Sequence, residues 1–449
     1  MDTASILAIT PEDLAITRLG PRTVDTPLKD LFDSREETIH YVTPTDRVLL
    51  DDTLGMARRR PGEIADLPAF NPGGPREKLF FEPTSVTAGV VTCGGLCPGV
   101  NNVIRGLVLQ LTKAYGVSKI LGFRNGYQGL TDGSAPMPLT PEAVKDIHSR
   151  GGTALGTSRG GQDTATMVDT LLQHGVDMLF VIGGDGTLRG AQKLAAEAMR
   201  RELPIAIVGI PKTIDNDIPW IDYSFGFQTA VARAAESIRS AHTEASSTDG
   251  GVGLVKLMGR HSGFIACYAT LANHDVDFCL IPEAPFDLDG FLDCLRQRVD
   301  RQGHAVVVVA EGAGQELFPR SDQTDPSGNA RLRDIGALLR ERITARFAGA
   351  PLSLRYVDPG YAIRSVPANA FDAVYCARLA QAAVHAGMAG FTSMIVARWH
   401  GRFIHLPIAL ATASRHQVDP HGDLWMSVLE ATGQPKRFTV SLFDTNLPI

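Results

Sequence analysis

The sequence predicts an α/β fold. It has two doubly wound, Rossmann-like lobes with parallel sheets, an active-site cleft between the lobes, and an irregular N-terminal extension. Three observations predict it. Short apolar runs such as Asp177–Ile182 alternate with longer amphipathic stretches, the order that makes a parallel sheet covered on both sides. Those runs are apolar throughout rather than at every second residue, as in strands buried on both faces. Glycine-rich turns follow them, and open sheets of this kind bind ligands where strands end.

The composition sets the outer bounds. The chain has 449 residues, a formal net charge of −6, 44% hydrophobic and 20% charged residues, the balance of a globular protein with a large core. A net acidic chain lacks the general basic face that nucleic acid or anionic membrane would need, so neither is an expected partner. No run approaches the roughly 18 apolar residues of a membrane span. The first residues carry Asp2, Glu12 and Asp13 without a basic start, so no secretory signal is expected and the cytoplasm is. Cys93, Cys97, Cys267, Cys279, Cys294 and Cys376 are scattered, without zinc-ligand spacing, and read as thiols in a reducing compartment.

Element by element, residues 1–83 are rich in proline, include the basic run Arg58-Arg59-Arg60, and show little periodicity. They read as an extension that packs across the body or joins subunits, with one short strand around Arg47–Leu50. One lobe is expected over 84–228 plus 365–412 and a second over 229–364 plus 413–449. In the first, Val86–Thr92, Lys119–Arg124, Asp177–Ile182 and Ile205–Ile210 read as strands; Val100–Tyr115, Thr166–His174 and Leu188–Met199 read as helices. In the second, strands are expected at Gly253–Leu257, Phe278–Pro282 and His304–Glu311. Helices are expected at Gln228–Thr243, Ser262–Leu271, Leu288–Val299 and, after a polar loop over Pro319–Asn329, up to Arg346. Ala368–His385 reads as a helix and Ser393–Ile408 as a hairpin turning near His400-Gly401.

Four groups of residues after strands carry chemistry. Gly94-Gly95-Leu96-Cys97-Pro98-Gly99 lets backbone approach a phosphate, with Arg105 one turn into the following helix. Gly183-Gly184-Asp185-Gly186-Thr187 places one carboxylate among glycines, suited to a magnesium that keeps water and phosphate oxygens as its other ligands. Pro211-Lys212-Thr213-Ile214-Asp215-Asn216-Asp217 sets two carboxylates beside a lysine and a threonine, a loop suited to positioning a hydroxyl and accepting its proton. Met258-Gly259-Arg260, Glu311, Arg355 and Tyr361–Arg364 offer guanidinium forks for phosphate and a carboxylate for sugar hydroxyls. Each has a bland reading as well, a tight turn or a solvated charge.

Together these strings resemble the phosphofructokinase family, which implies that the first lobe (84–228 plus 365–412) binds nucleotide and the second (229–364 plus 413–449) binds fructose 6-phosphate. The match runs from Cys93–Asn101 through Gly151–Arg159, the two acidic loops, Met258-Gly259-Arg260 and Ala310-Glu311-Gly312 to Tyr361–Arg364. The resemblance implies an ATP-dependent 6-phosphofructokinase, which phosphorylates the 1-hydroxyl of fructose 6-phosphate with Mg2+. It implies that Gly95, Tyr127, Arg159, Gly184, Asp185, Gly186 and Thr187 contact the nucleotide, with Asp185 on the metal. It implies Asp215 as base, with Thr213 and Asp217 supporting it and Arg260 on the transferring group. The sugar phosphate is implied to meet Thr213, Ile214, Asp215, Met258, Gly259, Arg260, Glu311, Tyr361 and Arg364. Arg355 would reach a neighbouring subunit's site, implying a homotetramer, with a dimer as the alternative.

Two positions bear on the donor. Gly186 stands where pyrophosphate-using relatives carry a second aspartate, and leaves room for a nucleotide. Lys212 stands where those same relatives carry lysine. This mixed signature, with Ala310-Glu311-Gly312-Ala313-Gly314-Gln315 and the long N-terminal extension, resembles the plant and trypanosomatid ATP-dependent branch; ATP is expected, with a pyrophosphate-dependent enzyme as the alternative. Tyr361 replaces the histidine of the common bacterial enzymes, and Gly251 replaces a subunit-bridging arginine. A non-catalytic sensor of nucleotide or sugar phosphate would lose Asp185 or Asp215, and both are present. NAD and lipid kinases share the Gly-Gly-Asp-Gly string but not the others, and no Gly-x-Gly-x-x-Gly turn marks a dehydrogenase.

Overall fold

The computed structural model describes residues 3–31, 41–57, 66–319 and 331–438. Arg58-Arg59-Arg60 lies outside the described residues, as does all of the Pro319–Asn329 loop but Pro319. The chain forms two compact units. The first comprises Met1–Thr213, Ile218–Gly226 and Ser365–Arg415; the second comprises Ile214–Asp217, Phe227–Arg364 and His416–Ile449.

A nine-stranded sheet organises the first unit. Its order is Val48–Leu49, Ala69–Pro72, Arg402–Pro407, Met394–Trp399, Ala206–Pro211, Met178–Gly183, Thr87–Thr92, Lys119–Phe123 and Met137–Pro138. The five strands from Met394–Trp399 to Lys119–Phe123 are mutually parallel. Every residue of Thr87–Thr92, Met178–Gly183 and Ala206–Pro211 is buried, which is why these runs read as continuous apolar stretches. Taken in chain order, the five are arranged 2-1-3-4-5, so the winding direction reverses between Thr87–Thr92 and Met178–Gly183. A reversal of this kind opens a crevice at the carboxyl ends of the two strands.

The second unit is built on four parallel strands in the order Phe278–Leu280, His304–Ala310, Gly251–Leu257 and Ser353–Val357. Leu257 pairs in register with Ala310, so the residues that follow them leave the sheet side by side. Phe278, Phe291, Phe286 and Phe438 form its aromatic core.

Several boundaries differ from those read in the sequence. The helix expected from Leu188 begins at Asp185 and runs to Arg200, because its first turn is polar and carries no apolar period. Ser353–Val357 is not legible as a strand in the sequence: it is half-exposed along its length, so its alternation is weak. The helix Asp423–Thr432 is likewise an addition made by the structure. The described residues before 84 are more ordered than an irregular extension: Val48–Leu49 pairs with Ala69–Pro72, which pairs with Arg402–Pro407 at the sheet edge. Thr17–Arg18 pairs with Phe391–Thr392, and Val24–Asp25 with Lys78–Leu79. Frequent prolines keep these ladders two to four residues long. The expected hairpin turn at His400-Gly401 has φ of 47° and 74°, the two positive values of the tight turn that fits strand twist.

Candidate active site

In the first unit the loops gather at the topological switch. The segment after Thr92 is held from both sides: the Gly94 N–H donates to Ser158 O at 3.1 Å, and Thr157 Oγ1 donates to Gly94 O at 2.6 Å. These bonds lay Thr157–Arg159 beside the Gly94 loop, with Arg159 exposed. Across the crevice, Gly184 caps the helix Asp185–Arg200. The N–H groups of that first turn have no partners one turn earlier, and with the helix dipole they favour an anion there. The buried Lys212 donates from Nζ to Gly95 O at 2.7 Å. Its ammonium lies 3.6 Å from where a Cβ on Gly94 would sit, so the lysine is inside the cradle.

Gly186 differs from the other glycines of this cradle. Its φ is not positive, and a Cβ built on it meets nothing within 4 Å. Neither backbone conformation nor packing requires glycine at this exposed position. Asp185, next to it, is paired with Arg189 at 3.0 Å and Arg415 at 3.8 Å. Neither arginine stands out in the sequence, since Arg415 is remote in the chain and Arg189 reads as an ordinary helix residue.

Tyr127 is buried, donates its hydroxyl to Thr187 O at 2.7 Å, and packs where a Cβ on Gly190 would come within 2.6 Å. It therefore buttresses the first two turns of the Asp185 helix from below, its one donor already committed. Arg105 lines a separate groove with Asn102, Lys113, His148, Val374 and Gln381, because its helix turns that face away from the strand ends.

The second unit begins with the acidic loop, Ile214–Asp217. Asn216 takes a left-handed conformation with φ of 57°, which Asn tolerates better than most residues. The loop is tied down by its backbone: Ser262 Oγ donates to Asp215 O at 3.1 Å, and His416 N donates to Asp217 O at 2.8 Å. Gln417 Nε2 donates to His261 O at 2.8 Å, and Glu283 Oε1 accepts from Gly263 N and Val418 N. His416–Val418 thus fastens the acidic loop and the Arg260 loop together, a role no local pattern announces.

The Met258–Arg260 and Glu311–Gly312 segments pack backbone to backbone. Glu311 N donates to Leu257 O at 2.9 Å and Gly312 N to Gly259 O at 3.1 Å. Gly259 has φ of 130°, and a Cβ on Gly312 would lie 2.1 Å from Arg260 O, so both glycines are required. Burial raises the Glu311 carboxyl above its usual range, opposed by Arg260, Lys256 and Arg364. Tyr361 and Arg364 share the single-turn helix Gly360–Arg364; the Arg364 guanidinium lies 4.7 Å from the Tyr361 ring centroid. Arg355 is exposed in the middle of its strand, 3.5 Å from Glu244.

The family model for phosphofructokinase matches residues 87–387, which holds both sets of loops. The chain belongs to the phosphofructokinase family. It is 54% identical over 441 residues to an ATP-dependent 6-phosphofructokinase of Amycolatopsis methanolica, covering 95% of this chain and 96% of that protein. A plant relative, ATP-dependent 6-phosphofructokinase 7 of Arabidopsis thaliana, is 49% identical over 374 residues, covering 82% of this chain and 77% of its own. The ATP-dependent 6-phosphofructokinase of Trypanosoma cruzi is 42% identical over 444 residues, covering 96% and 89%. Among solved structures, a pyrophosphate-dependent phosphofructokinase from Marinobacter aquaeolei superposes with a TM-score of 0.65 at 22% identity, covering 77% of this chain and 91% of that one. At that identity the likeness concerns the fold. For a phosphofructokinase chain, residues 1–86 and 388–449 lie outside the family match, yet they supply Arg415 and the His416–Val418 fastening.

Proposed function

We propose that this chain is an ATP-dependent 6-phosphofructokinase, transferring the γ-phosphoryl group of ATP to the 1-hydroxyl of fructose 6-phosphate. The observation that carries the donor is Gly186: the space beside it is open although nothing in the fold demands glycine there. An α-phosphate and ribose need that space; pyrophosphate does not. Lys212 is compatible with this, because its ammonium sits in the phosphate cradle on Gly95 O and can serve either donor.

The family resemblance and the placement of these residues support the following roles. Backbone N–H groups of the Gly94 loop and of the Asp185 helix, with Lys212 and Arg159, hold the donor's phosphates. Magnesium would be held by Asp185, the one carboxylate in the cradle, and would neutralise charge on the phosphate oxygens. A single carboxylate fits an ion that takes its other ligands from phosphate and water. Asp215 accepts the 1-hydroxyl proton as the new O–P bond forms and the bond to the β-phosphate oxygen breaks, releasing ADP. Arg260 lowers the charge on the group in flight, where alignment and neutralisation make up most of catalysis. Thr213 and Asp217 flank the base, and Ile214 lies between. Met258, Gly259 and Glu311 hold the sugar, with Tyr361 and Arg364 on its 6-phosphate. Arg355, exposed on its strand, supports contact with a second copy, as a homotetramer or dimer. No described helix is long and apolar enough to cross a membrane, and a cytoplasmic site is proposed.

The test is a coupled assay of the purified protein with fructose 6-phosphate and Mg2+, comparing ATP with pyrophosphate at equal concentration. Turnover with ATP alone is expected. Turnover with pyrophosphate alone would keep the sugar site and overturn the donor, making Lys212 the deciding residue.

A further inference from the structure

A second basic cluster lies in the first unit, where Thr17–Arg18 pairs with Phe391–Thr392. Three guanidinium groups surround the buried Phe391 ring: Arg18 at 5.4 Å, Arg22 at 5.6 Å and Arg76 at 5.5 Å from its centroid. His405 packs against the same ring with centroids 4.7 Å apart. A benzene ring has two attractive faces and a repulsive rim, so cation–π attraction cannot hold three cations equally. Among the described residues, none of the three arginines has a carboxylate within ion-pair distance.

Arg76 is 3% exposed and donates to two neutral carbonyls, Val42 O at 2.9 Å and Pro72 O at 2.7 Å, while its Nε has no partner. The acid that acts on it through space, Asp46, already accepts from Thr43 N at 2.6 Å. Arg22 is half-buried and Arg18 exposed, and neither donates a side-chain hydrogen bond to a described residue. Burial and mutual repulsion both lower the pKa of Arg22 and Arg76. Hydrogen bonds to carbonyls orient a guanidinium but leave its charge, so the described residues leave the cluster three positive charges in a partly desolvated place within a chain of net charge −6.

We propose that Arg18, Arg22 and Arg76 form an anion site for a phosphate group, separate from the transferase centre. Guanidinium forks match the tetrahedral oxygens of phosphate in charge and geometry. Fixed by its two carbonyls, Arg76 forms the floor; Arg22 and Arg18 close over the ligand from the extension. Its position excludes a part in the transfer. Phe391–Thr392 precedes the strand Met394–Trp399, and Thr392 Oγ1 accepts from Ile207 N at 3.0 Å, near the start of Ala206–Pro211. The cluster therefore sits at the amino ends of parallel strands whose carboxyl ends carry the phosphate loops. Ligand binding would pin residues 17–22 to the sheet. This inference is independent of the transferase reading.

The experiment is titration of the full chain with inorganic phosphate at constant ionic strength, by calorimetry and by thermal midpoint, with glycerol phosphate in a parallel arm. The wild type is expected to bind one more phosphate per chain than Arg18→Ala/Arg22→Ala. Without phosphate, the thermal midpoint of that double substitution is expected to be unchanged or higher, since a like-charge contact is relieved. Tighter binding of glycerol phosphate would identify a monoester as the ligand. Wild type and Arg18→Ala/Arg22→Ala binding the same amount of both probes would overturn the site. Arg18 is exposed, so Arg18→Gln folds whatever the double substitution does, and it should weaken the additional phosphate at least about fivefold. Unchanged affinity in Arg18→Gln, or a phosphate-independent fall in subunit association in Arg18→Ala/Arg22→Ala, would show a structural clamp or a subunit contact instead.

Discussion

At the scale of single residues, Gly186 separates what the fold needs from what the ligand needs. Gly312 cannot carry a side chain because backbone lies 2.1 Å from the Cβ position, whereas Gly186 has open space there. Gly186→Asp is therefore expected to fold with an unchanged thermal midpoint, since an acidic residue in the first turn suits the helix dipole. Its kcat/KM for ATP should fall at least about tenfold, as a carboxylate is set against a phosphate. Undiminished ATP turnover would remove Gly186 from donor selection. Asp215→Ala is expected to lower kcat by about 10²-fold or more, the scale of a lost base, with nearly normal ATP binding. Activity within threefold of wild type would dismiss Asp215 as the proton acceptor.

At the scale of elements, the loops proposed to bind the sugar owe their form to strand register. Because Leu257 pairs with Ala310, Met258–Arg260 and Glu311–Gly312 emerge together and can bond through backbone. Gly312→Ala would push its methyl into Arg260 O, displacing that loop; overpacking of this kind destabilises by about 1–3 kcal/mol. We expect KM for fructose 6-phosphate to rise with little change in KM for ATP, and steady-state kinetics with each substrate varied would check it. An equal rise in both would place the damage elsewhere. The helix Asp185–Arg200 makes the complementary point: its polar first turn hides its start from any search for apolar period, and that turn is the one proposed to meet the phosphates.

At the scale of the whole molecule, buried histidines tie stability to pH. His385, bonded to Tyr115 at 2.6 Å, is held down at about 4, by burial first and by Arg76 second. His405 is pushed well below its ordinary value and His416 to about 4, chiefly by burial. Unfolded histidine titrates near 6.5, so between about pH 6.5 and 4 the unfolded chain binds protons that the folded chain refuses. Stability should fall with acidity through that window, by up to about 1.4 kcal/mol per pH unit for each such histidine. Urea unfolding between pH 8 and 5 measures it, and a midpoint flat from 7 to 5 would show that these rings take up protons in the fold as readily as in the unfolded chain.

The sequence by itself determined the alternation of strands and helices, the loops that carry chemistry and the family. These are local properties: a strand buried on both faces must be apolar along its length, and a phosphate loop needs small residues at fixed spacing. Tertiary structure alone decided what distant residues do to one another. Arg415 reaches Asp185 across 230 residues of chain, His416–Val418 fastens the acidic loop to the Arg260 loop, and Tyr127 donates its hydroxyl to Thr187 O in the Asp185 helix. Three arginines from a segment without period converge on one phenylalanine. No local pattern encodes such contacts, because they depend on which strand lies beside which, and that order is set by how the whole chain buries its apolar surface.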